Sequence, residues 1–420
     1  MKVLHTREQL LLTEIARFNS TLPAEARTLK YQKMAASPFV FFRGTNHLFW
    51  QDMSHDWRIS LFGGRPDSQL WLQGDAHVYN FGALHDHHDR IYYGMDDFDD
   101  AIVADYQYDL WRLAISMVLD LAEKPWSNED LADEAVKNLG KAYLKAVVSA
   151  SDDNPAARIE FAPKPIRHFL EEVHDKYSRK RMLKKWTCDN FSRFDFDQEK
   201  LETVPESTRL ALIRALNSYH NTREHPEQTR SPRILDIAVR QAAGTGSLGN
   251  QRYYALIAGE TAEKNLILDI KEQKQPASVS VMPEAERNWY KSTFPDEGQR
   301  HAHAFRAIAE HPDSWLGWLT IDEVHFSVRE RSPFKRDFPT ESLNKSEYLH
   351  MASIWGEILG REHARGSRHV QNPDNKFIRF IRQKVSPNRK AFNLVLRGVA
   401  LNYARRVQSD WELFNEALKR

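Results

Sequence analysis

Apolar residues recur at helical spacing at the start of the chain, with Leu10, Leu11, Ile15, Phe18 and Leu22 set among polar neighbours, which predicts helix over residues 5–35. The segment Ser37 to Trp50, SPFVFFRGTNHLFW, breaks that period with clustered aromatic and small residues. From Gln69 to Asp97 the apolar runs shorten and are cut by turn formers: LWLQGDAH, NFGAL, the polar tip HDHHDR and IYYGMDDF. That pattern predicts short strands with a hairpin between the last two. Helical period returns near Tyr108 through DLWRLAISMVLDLAE, and again from Ser127, where Asp130 three residues on makes a capping-box-like start, to about Ser149.

Residues 150–230 are polar and mostly helical in pattern, with Phe169, Val173 and Tyr177 as a candidate stripe. The run Arg179 to Lys185, RKRMLKK, reads as a solvated helix face. From Ile234 the pattern turns to strands, ILDIAVRQ, RYYALIAG and LILDIKEQ, then WLGWLTI and VHFSVRER, with a helical stretch around Gln299 to Glu310 between the sets. Tyr348 to Arg365 and Phe392 to Ala417 are the longest C-terminal helical pieces. The expected class is α+β, divided into a mainly helical region 1–230, a small antiparallel sheet region 231–340, and C-terminal helices 341–420 that pack on the first region.

Composition narrows the function classes. The 420 residues carry 59 Lys+Arg against 58 Asp+Glu, a formal net charge of +1, so global charge points to neither nucleic acid nor an anionic membrane. The apolar stretch Leu110 to Leu121 contains Arg112 and Asp120 and is shorter than the roughly 20 residues of a bilayer span. The N-terminal residues lack the clean apolar block of a signal peptide, so the expected location is the cytoplasm. Cys188 is the sole cysteine, which excludes an internal disulfide and any Cys-based zinc cluster. The tip His85, Asp86, His87, His88, Asp89 carries zinc-type ligands, but a hairpin tip presents them to water and adjacent side chains diverge, so a solvated turn is expected. His301 and His303 lie two apart on a helix and do not share a face.

The most informative stretch is Gly74 to Asp100, GDAHVYNFG followed after the hairpin by DFDDA. Phosphoryl transfer requires a carboxylate beside the attacking hydroxyl and oxygen ligands that hold Mg²⁺ across the nucleotide phosphates. Asp75 stands as the base, Asn80 five residues on as one metal ligand, and Asp97, followed by Phe98, as the second. Asp99 is a further acid of the same loop. Here the chain resembles the aminoglycoside-phosphotransferase-like branch of the kinase superfamily, whose catalytic loop reads GD-x-H-x-x-N and whose metal loop reads DF or DW followed by acids. Asp109 and Leu110 match that branch's Asp-Leu at the start of the next helix. The resemblance also makes His77 an organiser of the loop. Arg43, in the apolar FFRG, requires an acid or a phosphate.

Gly244, Thr245, Gly246, Ser247, Leu248 and Gly249 form a glycine-rich turn that suits phosphate in a kinase hairpin or in a Rossmann turn. The Rossmann reading requires helix from Asn250 to about Glu263 and places Asp269 on a ribose. The kinase reading requires RYYALIAG as a strand and Lys271, at the end of the next antiparallel strand, on the phosphates. Tyr253 and Tyr254 favour the strand.

In kinases the glycine loop and lysine precede the catalytic loop, whereas here Lys271 follows Asp75. A circularly permuted, kinase-like two-lobed fold is the economical explanation. Ile358 to Ser367, ILGREHARGS, resembles the helix end that leads into a phosphotransferase catalytic loop, yet none follows it, and His363 is expected to be structural there. The acidic partner of Lys271 stays unassigned: Glu297 and Glu310 stand at the two ends of the candidate helix, and Glu272, adjacent on the strand, points to the opposite face. SPFVFFRG, GDAHVYNFG, DFDDA, DLWRLA, GTGSLG, Lys271-Glu272 and LGW at 316–318 together resemble the uncharacterised bacterial "domain of unknown function 2252" family over most of the chain. The expected function is ATP- and Mg²⁺-dependent phosphoryl transfer to a hydroxyl of a small molecule or protein. A non-catalytic nucleotide-binding module and nucleotidyl transfer are the alternatives.

Overall fold

A computed structural model of the chain describes residues 6–86, 89–150, 157–158, 162–198, 200–226, 231–241, 249–371 and 375–420. The N-terminal period resolves into two helices, α1 (Arg7–Phe18) and α2 (Ala24–Met34), where one was expected. The Asn19 side chain donates to the Ile15 carbonyl at 2.8 Å and ends α1, and Pro23 starts α2. The aromatic segment is helical too, as α3 (Pro38–Gly44) and α4 (Asn46–Met53). Ser37 accepts from the Val40 amide and Pro38 opens α3. Phe39, Phe41, Phe42, Leu48, Phe49 and Trp50 are all buried. A helix buried on several sides has no apolar-polar period to read.

Two short antiparallel pairs follow. The strands β1 (Gln69–Leu72), β2 (Phe81–His85), β3 (Ile91–Met95) and β4 (Ile102–Asp105) pair as β1 with β4 and β2 with β3. The loop 73–80 thus leaves β1 and enters β2, and the loop 96–101 leaves β3 and enters β4, which brings the two loops to the same end. Helix α5 (Gln107–Ala122) runs under both, and α6 (Glu129–Val148) packs beside it, its first turn capped by Asn128 and not by Ser127. Next come α7 (Lys164–Lys176) and α8 (Arg179–Trp186). In α8, Met182, Leu183 and Trp186 are buried while Lys180, Lys184 and Lys185 lie on the outer side.

The larger sheet has six strands among the described residues. In chain order they are β5 (Leu201–Thr203), β6 (Ile234–Arg240), β7 (Arg252–Ile257), β8 (Leu266–Glu272), β9 (Gly317–Ile321) and β10 (Val324–Glu330), in the spatial order β9-β10-β8-β7-β6-β5. Neighbours are antiparallel, with Arg252 opposite Lys271 and Tyr254 opposite Asp269. The strand β7 lies where a dinucleotide-binding turn needs helix, so the Rossmann reading of Gly244 to Gly249 falls.

Strand alternation gives the sheet two apolar faces. Ile237, Tyr253, Ala255 and Leu268 pack on Leu212, Leu216 and Tyr219 of α9 (Glu206–Tyr219). Ala238, Tyr254, Leu256 and Ile267 pack on Met182, Leu183 and Trp186.

The main core lies elsewhere. It runs from Leu11 to Phe414 and includes α10 (Glu284–Thr293), α11 (Glu297–Ile308), α12 (Lys345–Gln371) and α13 (Arg389–Lys419). Ala277, Val279, Ala304 and Phe305, within the stretch 231–340, are members of it, so burial does not follow the sequence boundaries at 231 and 340. No helix among the described residues is long and apolar enough to cross a membrane.

Candidate active site

Gly74 fixes how the two loops meet. Its φ is +81°, and a Cβ there would fall 1.9 Å from the Asp100 carbonyl oxygen, so only glycine permits this close approach. The Asp109 carboxylate, at the start of α5, accepts from the Gln73 and Gly74 amides at 2.7 and 2.9 Å. His363 Nε2 lies 3.4 Å from the same carboxylate, and its Nδ1 meets the Tyr143 hydroxyl at 2.8 Å. His363 therefore has its structural part, from the middle of α12 and not from a helix end. It supports, from the far end of the sequence, the loop after β1.

Asp75 is half-buried and pairs with Arg112, a fully buried residue that stacks 4.1 Å from the Phe42 ring centroid. Burial pushes the Asp75 carboxyl up to about 7, against the opposing pull of Arg112. Asn80 Nδ2 donates to the Asp75 carbonyl at 2.8 Å, closing the loop on itself. Arg43 Nε donates to His77 Nε2 at 3.1 Å, which leaves the imidazole proton on Nδ1. Burial, then Arg43 and Arg112, hold His77 well below its usual range, so the ring is neutral. Arg43 is exposed and has a neutral imidazole as its partner, where an acid or a phosphate was expected.

The second loop is tied to the sheet. Lys271 Nζ pairs with Asp99, and Gln273 Nε2 donates to the same carboxylate at 3.1 Å. The acid of Lys271 is thus Asp99 and none of the three glutamates. Glu297 accepts from Arg300 at 2.7 Å and from Tyr290, Glu310 lies near Arg365, and Glu272 accepts from the Gln251 amide. Arg300 is fully buried and donates to the Ala101 and Asp99 carbonyls at 2.8 and 2.7 Å, clamping the loop. Burial works upward on both Asp97 and Asp99. The charge of Asp99 adds to the rise at Asp97, while Lys271 holds Asp99 far below the carboxylate range.

The structure gathers Arg43, Asp75, His77 and Asn80 in one loop cluster and Asp97, Asp99 and Lys271 in the next, the two joined where Gly74 meets Asp100. Gly244, Thr245, Gly246 and Ser247 lie outside the described residues. Gly249 has φ +81°, and a Cβ there would sit 2.9 Å from Leu22, so the end of that turn rests on the α1–α2 connection. Arg112, Arg300, Gln273 and His301, whose Nε2 lies 3.8 Å from the Asp99 carboxylate, were missed. An arginine in the apolar DLWRLA, one helical turn after Asp109, was a legible sign of a buried pair. Arg300 gave no comparable sign. The tip residue His85 is not solvated as expected. Its Nδ1 meets Ser332 Oγ at 2.9 Å, and its neighbours His87 and His88 lie outside the described residues.

An α+β chain with antiparallel sheets, whose polar loops converge around Asp75 and Lys271, is the class that fold and site define. The chain belongs to the bacterial family described as "Uncharacterized protein conserved in bacteria (DUF2252)", whose family model matches residues 22–417. No curated protein and no solved structure matches it.

Proposed function

We propose that the protein is an ATP- and Mg²⁺-dependent phosphotransferase acting on a hydroxyl of a small molecule or a protein, with a kinase-like two-lobed fold in circularly permuted order. The observation that carries this reading is that the Asp97–Asp99 loop, which meets the Asp75–Asn80 loop where Gly74 approaches Asp100, is tied through Asp99 to Lys271, which comes from a separate sheet far along the chain. Lys271 ends the third strand of the meander β6-β7-β8, as the kinase lysine does. Two helices, α10 and α11, follow that strand, and the catalytic parts precede the sheet in sequence.

In this reading Asp75 orients the acceptor hydroxyl and takes its proton as the oxygen attacks the γ-phosphorus, and the bond to the β-phosphate oxygen breaks to release ADP. A carboxyl near 7 is poised for that transfer, and Arg112 keeps it in one orientation. Among the described residues no group of three or more His, Cys, Asp or Glu forms a metal cage. That fits Mg²⁺, which takes one or two carboxylates and completes its shell with phosphate oxygens and water. Asp97 and Asn80 would hold it, with Asp99 nearby. Lys271 would exchange Asp99 for phosphate.

One observation favours a non-catalytic nucleotide-binding module instead. Lys271 is held by Asp99 while Glu297 is committed to Arg300, so the lysine-glutamate pair of active kinases is absent among the described residues. Incubation of γ-labelled ATP with cell-extract small molecules and proteins, beside Asp75→Asn, separates the two. Label transfer that is lost in the variant, with ATP affinity retained and abolished by EDTA, is expected. Mg-ATP binding without transfer to any acceptor would leave the binding module, and equal affinity with EDTA would remove the metal assignment.

A further inference from the structure

The face of the large sheet that carries Lys271 also carries two arginines with no acid. Arg240, at the end of β6, is 8% exposed, and Arg331 follows β10. Their Nε atoms both donate to one hydroxyl, that of Tyr254, at 3.3 and 3.0 Å. Both guanidinium groups also lie over the Trp186 ring, at 5.6 and 5.0 Å from its centroid. Among the described residues neither lies within ion-pair distance of a carboxylate. Their neighbours behave differently: Arg252 is paired with Asp269, and Arg179 with Glu330.

Bringing two like charges together inside a protein, one of them almost wholly buried, is unfavourable unless an anion completes the site. A phenol oxygen, an indole face and, for Nη1 of Arg240, the Gln241 carbonyl hold the two guanidinium groups without neutralising them, which leaves Nη2 of Arg240 and the Nη groups of Arg331 for a ligand. The two line a cleft of about 650 Å³ between the sheet and the β2–β3 hairpin. Seven Lys or Arg and four Asp or Glu line that cleft, so its field is positive.

We infer that Arg240 and Arg331 form a binding pocket for a phosphate group. Two guanidinium forks match the charge and the oxygen geometry of a dianionic phosphate better than a single carboxylate. The pocket stands on these two arginines and Tyr254 and does not rest on the phosphotransferase reading. It lies four residues before the Gly244 to Gly249 turn. Arg240 is on β6 and Lys271 on β8, two strand spacings apart, about 10 Å. That is the reach of a polyphosphate. The phosphate is therefore either the tail of a nucleotide laid along this face or the phosphate of a second compound.

Calorimetry of the full chain with inorganic pyrophosphate tests the pocket. Wild type binds, and Arg240→Met and Arg331→Met each weaken binding at least tenfold, while the distant Lys141→Met leaves it unchanged. Tyr254→Phe keeps the ring and removes the hydroxyl that orients both arginines, and it should weaken binding several-fold, which guards against a misfolded arginine variant. Failure of wild type to bind, or equal binding by both arginine variants, overturns the inference. Competition between Mg-ATP and pyrophosphate assigns the phosphate to the nucleotide, and simultaneous binding assigns it to a second compound. Pyrophosphate bound through these arginines with no Mg-ATP binding at all would keep the pocket and remove the phosphotransferase reading.

Discussion

Buried arginines serve the two sides of this cleft in opposite ways. On the loop side, Arg112 and Arg300 are fully buried, and each meets a carboxylate and backbone carbonyls. On the sheet side, Arg240 and Arg331 share a phenol oxygen and meet no carboxylate among the described residues. The difference separates charges that position from charges that bind. A neutralised cation fixes the backbone around it, whereas an unneutralised one raises the energy of the empty site and waits for an anion.

The contrast breaks first at Arg300. Arg300→Met leaves Glu297 buried without its cation, with only the Tyr290 hydroxyl, among the described residues, donating to it, and frees the Ala101, Asp99 and Lys274 carbonyls, so a loss of about 3–5 kcal/mol is expected in urea unfolding. A loss under ~1 kcal/mol would show that the clamp does not hold the loop.

Asp75 gives the next largest effect, and its sign depends on pH. Its carboxyl is raised to about 7 by burial, with Asp100 pushing the same way and Arg112 and Arg43 pulling down. A folded-state value above the unfolded one means that the native protein holds a proton between about pH 4 and pH 7, so stability from this group falls as pH rises through that window. Asp75→Asn should match wild type near pH 4 and exceed it by on the order of 2–4 kcal/mol at pH 8. If the proposed chemistry holds, the wild-type rate rises through the same window as the carboxylate forms. Parallel stability curves for the two proteins would show that Asp75 titrates in its ordinary range.

Asp99 tests the seam between the two sides. Its side chain is 36% exposed, so solvent screens the pair with Lys271 despite its short contact. Asp99→Ala should cost under ~1 kcal/mol, and the loss should shrink in high salt. A loss as large as that of Arg300→Met would make this pair part of the scaffold.

The sequence showed whatever is carried by local spacing. The interval from Asp75 to Asn80, the hairpin between β2 and β3, and the antiparallel run of β7 and β8 with Lys271 at its end are all short-range patterns. Contacts between distant segments were not legible. DFDDA holds three acids in five positions, and which of them meets Lys271 is decided by where a strand from the other half docks. The helices around Phe39 and Trp50 were missed because residues buried on every side carry no period. His363 was noticed for its likeness to a helix end, yet its partner Asp109 lies 254 positions away. Arg240 and Arg331 sit on different strands and have no common motif, and only the twist and register of the sheet bring both to Tyr254.

The smallest expected effect is the one that most sharpens the comparison. Arg240→Met removes a buried charge and three weak contacts, the bonds to the Tyr254 hydroxyl and the Gln241 carbonyl and the stack on Trp186. Each of these contributes about 0.5–1.5 kcal/mol to an arginine that stays. Methionine keeps much of the apolar stem in place. Relief of the repulsion from Arg331 and of the unpaired buried charge works in the other direction. The two sides nearly cancel, so unfolding in phosphate-free buffer should change by less than ~1 kcal/mol, with a gain as admissible as a loss. Added pyrophosphate should then separate the proteins, since an anion that binds only the native state stabilises wild type by mass action and leaves the variant where it was. If Arg240→Met instead loses as much as Arg300→Met in phosphate-free buffer, the sheet-side arginines are scaffold as well, and the distinction between the two sides of the cleft disappears.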